Sequence, residues 1–180
     1  MGAVRRIVVG VHGSLGSLQA LRWAVDEARD RLVPVAAVTA WTPPGGDAAE
    51  RSHPSPYLRK VWRDAALKKL TDSFDDCLGG IPGDVRLRLC VERGEAGQVL
   101  VDVADQAGDL LVIGSGRRDP LGRALHRSVG RYCLAHARCP VVAVPPSALM
   151  DEMRHGLLPW SLRGRQVLVP DLDNPEPPGD

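Results

Sequence analysis

The side chains best suited to chemistry fall in short stretches where an apolar run gives way to glycine and hydroxyl residues. Val11-His12-Gly13-Ser14-Leu15-Gly16-Ser17 follows the first run, and Val38–Ala40 closes the second. Gly114-Ser115-Gly116-Arg117-Arg118 follows the fourth, and Arg127-Ser128-Val129 stands at an expected helix start. Glycine lets backbone N–H groups come close to an anion, and a helix start adds N–H groups without intrahelical partners. This composition suits holding an anionic molecule more than breaking a bond. No nucleophile with a paired base is evident, and no carboxylate pair stands near a strand end, so the chain is expected not to be an enzyme. The cysteines Cys77, Cys90, Cys133 and Cys139 contain no C-x-x-C pair and read as reduced, buried thiols. His126 and His136 have no partner at metal-ligand spacing, and no metal is expected.

These stretches must be positioned by something, and the pattern between them says what. Apolar runs stand at Ile7–Val11, Val35–Trp41, Val85–Val91, Leu110–Gly114 and Val141–Val144. Between them apolar residues recur at helical steps: Leu18, Leu21, Val25, Ala28 and Leu32; then Leu58, Val61, Trp62, Ala65, Leu70, Phe74 and Cys77. Val99, Leu100, Val103 and Ala107 mark a third helix, and Val129, Cys133 and Ala137 a fourth. Alternating strand and helix predicts an α/β fold, a parallel sheet covered on both faces. In such sheets ligands bind beyond the carboxyl ends of the strands, where the glycine-rich stretches fall.

The first and fourth runs are almost unbroken in apolar residues, as strands buried on both faces should be. The third alternates, with Arg86 and Arg88 on one face, which predicts a sheet edge. The fifth is apolar on both sides; at an edge it needs a cover, and a partner subunit is the natural one. Thr42–Pro56, rich in proline and glycine, reads as a loop. Residues 1–145 form the expected domain and 146–180 an extension whose composition shifts to acid and proline. Within it, Leu157–Leu162, with Trp160 as a packing anchor, and Gln166–Val169 are apolar enough to dock, and Val167–Val169 suits adding a strand to a free edge. Asp171–Asp180 reads as disordered.

The 180 residues carry 23 basic and 22 acidic side chains, a net charge of +1, which argues against nucleic-acid or membrane binding. No signal-peptide core is evident near Met1, and a cytoplasmic location is expected. Around the last motif Arg117, Arg118, Arg123, Arg127, Arg131 and Arg138 face only Asp119, which reads either as a solvated face or as an anion site.

Taken in order, several pieces resemble the universal stress proteins of the UspA family over roughly residues 4–145. They are Arg6–Val11 with Gly13-Ser14, Ala20–Ala24, Gly94-Glu95-Ala96, Asp109–Ser115, and Ser128-Val129 through His136-Ala137-Arg138-Cys139-Pro140-Val141-Val142-Ala143-Val144. The resemblance implies a three-layer sandwich with a five-stranded parallel sheet of order 3-2-1-4-5, akin to the adenine nucleotide alpha hydrolases. It also implies a homodimer, to which the fifth strand and the C-terminal tail are expected to contribute. Some members bind ATP and others do not. Carried over to this chain, the nucleotide site falls on Val11, His12, Ala40, Gly114, Gly116, Arg117, Arg127, Ser128 and Val129. The family loop reads G-x-x-G-x9-G-[ST]. Here Gly114 and Ser128 match it, but Arg117 and Arg127 fall on the second and third glycines, and His12 on the family's aspartate. An Arg cannot replace bare backbone, although its guanidinium attracts phosphate. The resemblance therefore implies a non-catalytic regulatory or stress-response protein with a degenerate nucleotide loop, holding no cofactor; an ATP-binding switch is the alternative.

Overall fold

The computed structural model describes residues 3–115 and 129–145. Its elements are β1 (Arg6–Gly10), α1 (Leu15–Arg31), β2 (Val35–Trp41), α2 (Gly46–Ser52), α3 (Pro56–Leu78), β3 (Leu87–Arg93), α4 (Ala96–Val103), β4 (Asp109–Gly114), α5 (Val129–His136) and β5 (Val141–Val144). All strand pairs are parallel, in the order β3-β2-β1-β4-β5. The expected order and the edge position of β3 are thus observed.

Side chains of β1 alternate between two cores. Ile7 and Val9 pack with Leu21, Val25 and Phe74 beneath α1 and α3, while Val8 packs with Leu100 and Cys133 beneath α4 and α5. A strand buried on both faces has no room for a polar position, which is why β1 and β4 read as unbroken apolar runs. The helices start where their sequences say. The Ser14 side chain accepts from Ser17 N–H at the start of α1, and Ser55 caps α3 ahead of Pro56 in its first turn. Gly79, with φ of 74°, ends α3 in the left-handed conformation.

Three expectations change. Thr42–Pro56 is not all loop: Gly46–Ser52 is helical. Asp47-Ala48-Ala49-Glu50 is good helix sequence, and Glu50 is buried between two cations. Arg59 bonds one of its carboxylate oxygens and Arg93 lies 2.5 Å from the other. Both strand limits also move, β1 ending at Gly10 and β3 beginning at Leu87, although Val85 still packs into the core. Finally, the apolar positions of α3 do not share one buried face. Leu70 and Phe74 are fully buried, whereas Leu58 and Val61 are exposed. At roughly 100° per residue, the group around Leu58–Ala65 is turned about 150° from Leu70–Phe74. The fully buried residues of the helix, Leu70, Ser73 and Phe74, all lie in its second half, while in the first half Trp62 meets Trp41 of β2.

At the amino ends of β1 and β4 an ion pair is held below the surface. Arg6 Nε donates to Asp109 Oδ1 at 2.8 Å and Nη2 to Oδ2 at 2.6 Å, while Nη2 also reaches Val103 O at 2.9 Å. Gln106 N–H donates to the same carboxylate at 3.0 Å. The bond to Asp109 raises the guanidinium's already high pKa against the opposing effect of burial.

Candidate functional site

The opposite end of the sheet gathers the residues singled out above. Past Gly10 the chain keeps its register for one more residue, with Val11 N–H donating to Val38 O at 2.8 Å. Beside it the buried Thr39 hydroxyl donates to Val11 O at 2.8 Å, so the backbone here is satisfied before any ligand arrives. The chain then turns through Gly13, whose φ is 78°, and enters α1. A side chain at residue 13 would be strained, and its Cβ would lie 3.0 Å from Lys69 Cε.

His12 is exposed at the lip of this turn. Its N–H donates to Ser17 Oγ at 3.3 Å, and its Nε2 lies 3.3 Å from Ser14 Oγ. Ser17 Oγ in turn donates to Ser14 O at 2.9 Å. The β1–α1 turn is thus knitted by hydroxyls and one imidazole, with no carboxylate in that network. Ala40 is half-buried near the end of β2, in register with Glu92.

Gly114, at the end of β4, is explained by packing. A Cβ built there would sit 2.5 Å from the carbonyl carbon and oxygen of Gly16, in the first turn of α1. The close approach of β4 to α1 needs a bare residue at this point, ligand or no ligand. Ser115 then ties β4 to β5, its N–H donating to Val144 O at 2.8 Å and its hydroxyl at 3.1 Å. Gly116, Arg117, Arg127 and Ser128 lie outside the described residues.

Val129 opens α5 and lines an open cleft of about 530 Å³ shared with the start of α4. Glu95, Ala96, Gly97, Gln98 and Tyr132 complete its walls. The Tyr132 hydroxyl donates to Gln98 Oε1, and the Tyr132 ring stacks on His136 with centroids 4.1 Å apart. Val11, His12 and Gly114 therefore meet at the tips of the two central strands, while Val129 belongs to the neighbouring cleft between α4 and α5. Among the described residues no group of three His, Cys, Asp or Glu side chains is arranged to hold a metal. Sequence reasoning named the stretches that hold Thr39 and Gly16 but gave neither a role, and it missed Tyr132, which acts through contacts across the chain and had no local signal.

Of the four cysteines expected to be buried, one is. Cys133 is fully buried and Cys77, Cys90 and Cys139 half-buried, all four as free thiols. Burial is the first cause that raises the pKa of each above the ordinary thiol value.

Comparison with known proteins follows the same lines. The universal stress protein family pattern matches residues 3–145. Universal stress protein Rv2624c of Mycobacterium tuberculosis is 28% identical over 143 residues, which is 78% of this chain and 48% of the relative. Universal stress protein Mb2028c of Mycobacterium bovis is 28% identical over 172 residues, 89% of this chain and 55% of the relative. The chain thus spans about half the length of the curated relatives it matches. Among solved structures, a universal stress protein in complex with cAMP superposes with a TM-score of 0.56 at 25% identity, covering 81% of this chain and all of the other. The universal stress protein of Archaeoglobus fulgidus in complex with dAMP gives 0.52 at 22% identity, covering 79% of this chain and 99% of that one. The five-stranded order, the glycine-lined turn after β1 and the family pattern agree: this chain belongs to the universal stress protein family.

Proposed function

We propose that this chain is a non-catalytic regulatory member of its family, with a degenerate nucleotide site. The observation that carries the reading is His12. It takes the position where nucleotide-binding members carry an aspartate, and its ring nitrogen lies against Ser14 Oγ. A carboxylate offers two acceptor oxygens, whereas a neutral imidazole offers one acceptor nitrogen. Arg117 and Arg127, standing where the family loop has glycine, deepen the departure. Cationic side chains attract phosphate but do not replace a preorganised ring of backbone N–H groups.

A second reading is favoured by one observation. The solved relative at 25% identity is a complex with cAMP, so an adenine nucleotide is the ligand to test, with ATP-dependent switching as the alternative function. Equilibrium dialysis separates the two. We expect no saturable uptake of Mg-ATP or cAMP at micromolar protein; saturable binding that disappears in Ser128→Ala would establish the second reading and remove the first.

The same reading includes a cytoplasmic homodimer formed through β5 and the C-terminal tail. It is supported by the short edge strand, on which Val141 and Val142 are half-buried and Ala143 is exposed. Sizing a chain cut after Pro146 tests the tail's part: a smaller species is expected, and an unchanged dimer counts against it.

A further inference from the structure

The first half of α3 turns Trp62 to Trp41 of β2 and Arg59 to Glu50 of α2, but it leaves other apolar side chains uncovered among the described residues, and its charges show what suits them. Tyr57 is 74% exposed, Leu58 41%, Val61 42% and Leu67 41%. These are half of the large exposed apolar side chains among the described residues, gathered on one stretch of one helix. Among the described residues nothing covers these four side chains.

The charges of α3 run against the helix dipole. Its first turn holds no acid and its last turn no base. Instead Arg59, Lys60 and Arg63 crowd the amino half, and Asp72, Asp75 and Asp76 the carboxyl end. Each arrangement is unfavourable for an isolated helix, because the positive end of the dipole meets cations and the negative end meets anions. Laid antiparallel against an identical helix, both become favourable: basic half meets acidic half, and the dipoles oppose.

The spacing fits a two-fold axis. Lys60, Asp64, Lys68 and Asp72 alternate in sign at four-residue steps on one side of the helix, paired within the chain as Lys60–Asp64 at 2.6 Å and Lys68–Asp72 at 2.7 Å. An axis at residue 66 sets Lys60 opposite Asp72 of the second copy and Asp64 opposite Lys68. The same axis sets Val61 opposite Thr71, Tyr57 opposite Asp75 and Arg63 opposite Lys69, so the complementarity rests on the Lys60–Asp72 and Asp64–Lys68 pairs. A two-fold contact must be self-complementary in this way. All three lysines of an otherwise arginine-rich chain, Lys60, Lys68 and Lys69, lie on α3. Their flexible stems can lie over the apolar side chains while the ammonium stays in water.

The geometry points to α3 as a docking surface for a second copy of this chain, the two helices packing antiparallel about an axis at residue 66. Its occupant is identical to the one proposed at β5, but its residues are different. Two distinct two-fold contacts assemble dimers into larger closed or open species, so the two surfaces can be told apart by mass. A single pair of helices buries less than the roughly 1,200 Å² of a standard interface, so the contact belongs to the weak class.

The test is charge reversal in the full-length chain, followed by sedimentation velocity at low salt and high protein concentration. Because of the two-fold axis, each substitution enters the contact twice. We expect Asp64→Lys and Lys68→Asp each to halve the assembly mass, and the double variant D64K/K68D to restore it. Val61→Ser removes apolar contact without charge and is also expected to halve the mass. Far-UV circular dichroism confirms that each variant remains folded. A step from tetramer to dimer leaves the β5 contact in place, and a step from dimer to monomer removes β5 as an interface; either supports pairing through α3. Equal masses for the wild type and all variants, or a double variant as dissociated as the singles, overturn it whatever the state of β5.

Discussion

The two ends of the central strands β1 and β4 are built on opposite principles. At the amino end, Arg6 and Asp109 form a two-bond ion pair, and the carboxylate, only 2% exposed, also accepts from Gln106 N–H. At the carboxyl end no such pair stands among the described residues. Hydroxyls of Ser14, Ser17 and Thr39 satisfy the backbone, and Gly114 lets β4 touch the first turn of α1. One end resists opening through charge that cannot be left alone, the other through close backbone packing and weak neutral bonds. A fold can leave one end of its sheet adaptable when the far end holds the strands together.

That contrast can be broken most forcefully at Asp109. Asp109→Ala strands a partly buried guanidinium and an amide N–H, and we expect a loss of about 3 kcal/mol or more. Urea unfolding reads it as a lower midpoint at unchanged slope; a loss below about 1 kcal/mol would mean that the amino end is not the anchor. Next comes Gly114→Ala. The added methyl meets backbone and not a flexible side chain, so α1 or β4 must shift, at about 2 kcal/mol. The same urea titration detects it, and a neutral result would show the contact to be slack. Thr39→Val keeps the shape and removes the donor to Val11 O, for an expected loss of about 1 kcal/mol.

The smallest effect is one of pH. Burial raises all four thiols above their ordinary value. A raised folded pKa gives stability that is fully present below the unfolded thiol value, about 8.5, and lost as pH rises through the folded value. Stability should therefore be flat with respect to the cysteines up to about pH 8 and decline above it. Iodoacetamide labelling of the native protein should be slow at neutral pH and accelerate on unfolding; rapid native labelling of Cys133 would contradict its burial.

Much of the architecture could be read from periodicity, because burial on two faces leaves a mark on every residue of a strand. Ile7–Val9 and Leu110–Ile113 are apolar without a break for that reason, and Leu87-Arg88-Leu89 alternates because Leu87 and Leu89 face the core while Arg88 points to the exposed face. The helix over Gly46–Ser52 was hidden by the prolines and glycines around it, since its stability depends on Glu50 reaching Arg59 and Arg93 from other elements. The long apolar period of α3 was legible, but not that it divides into two faces: each half is consistent with a helix, and only the sheet decides which half is covered.

For the candidate site the same division holds. Local spacing placed His12, Gly13 and Ser14 at a strand-to-helix turn, because a left-handed glycine and a hydroxyl N-cap are requirements of a few adjacent residues. The sequence by itself determined the order of elements and the family, and it gathered the glycine-rich turns at one end of the sheet. Tertiary structure alone decided that Gly114 answers to Gly16, that Val129 lines a cleft with Tyr132, and that Asp109 answers to Arg6. Those facts depend on groups brought together across up to 103 residues of chain, and no local preference encodes a distance that only packing sets.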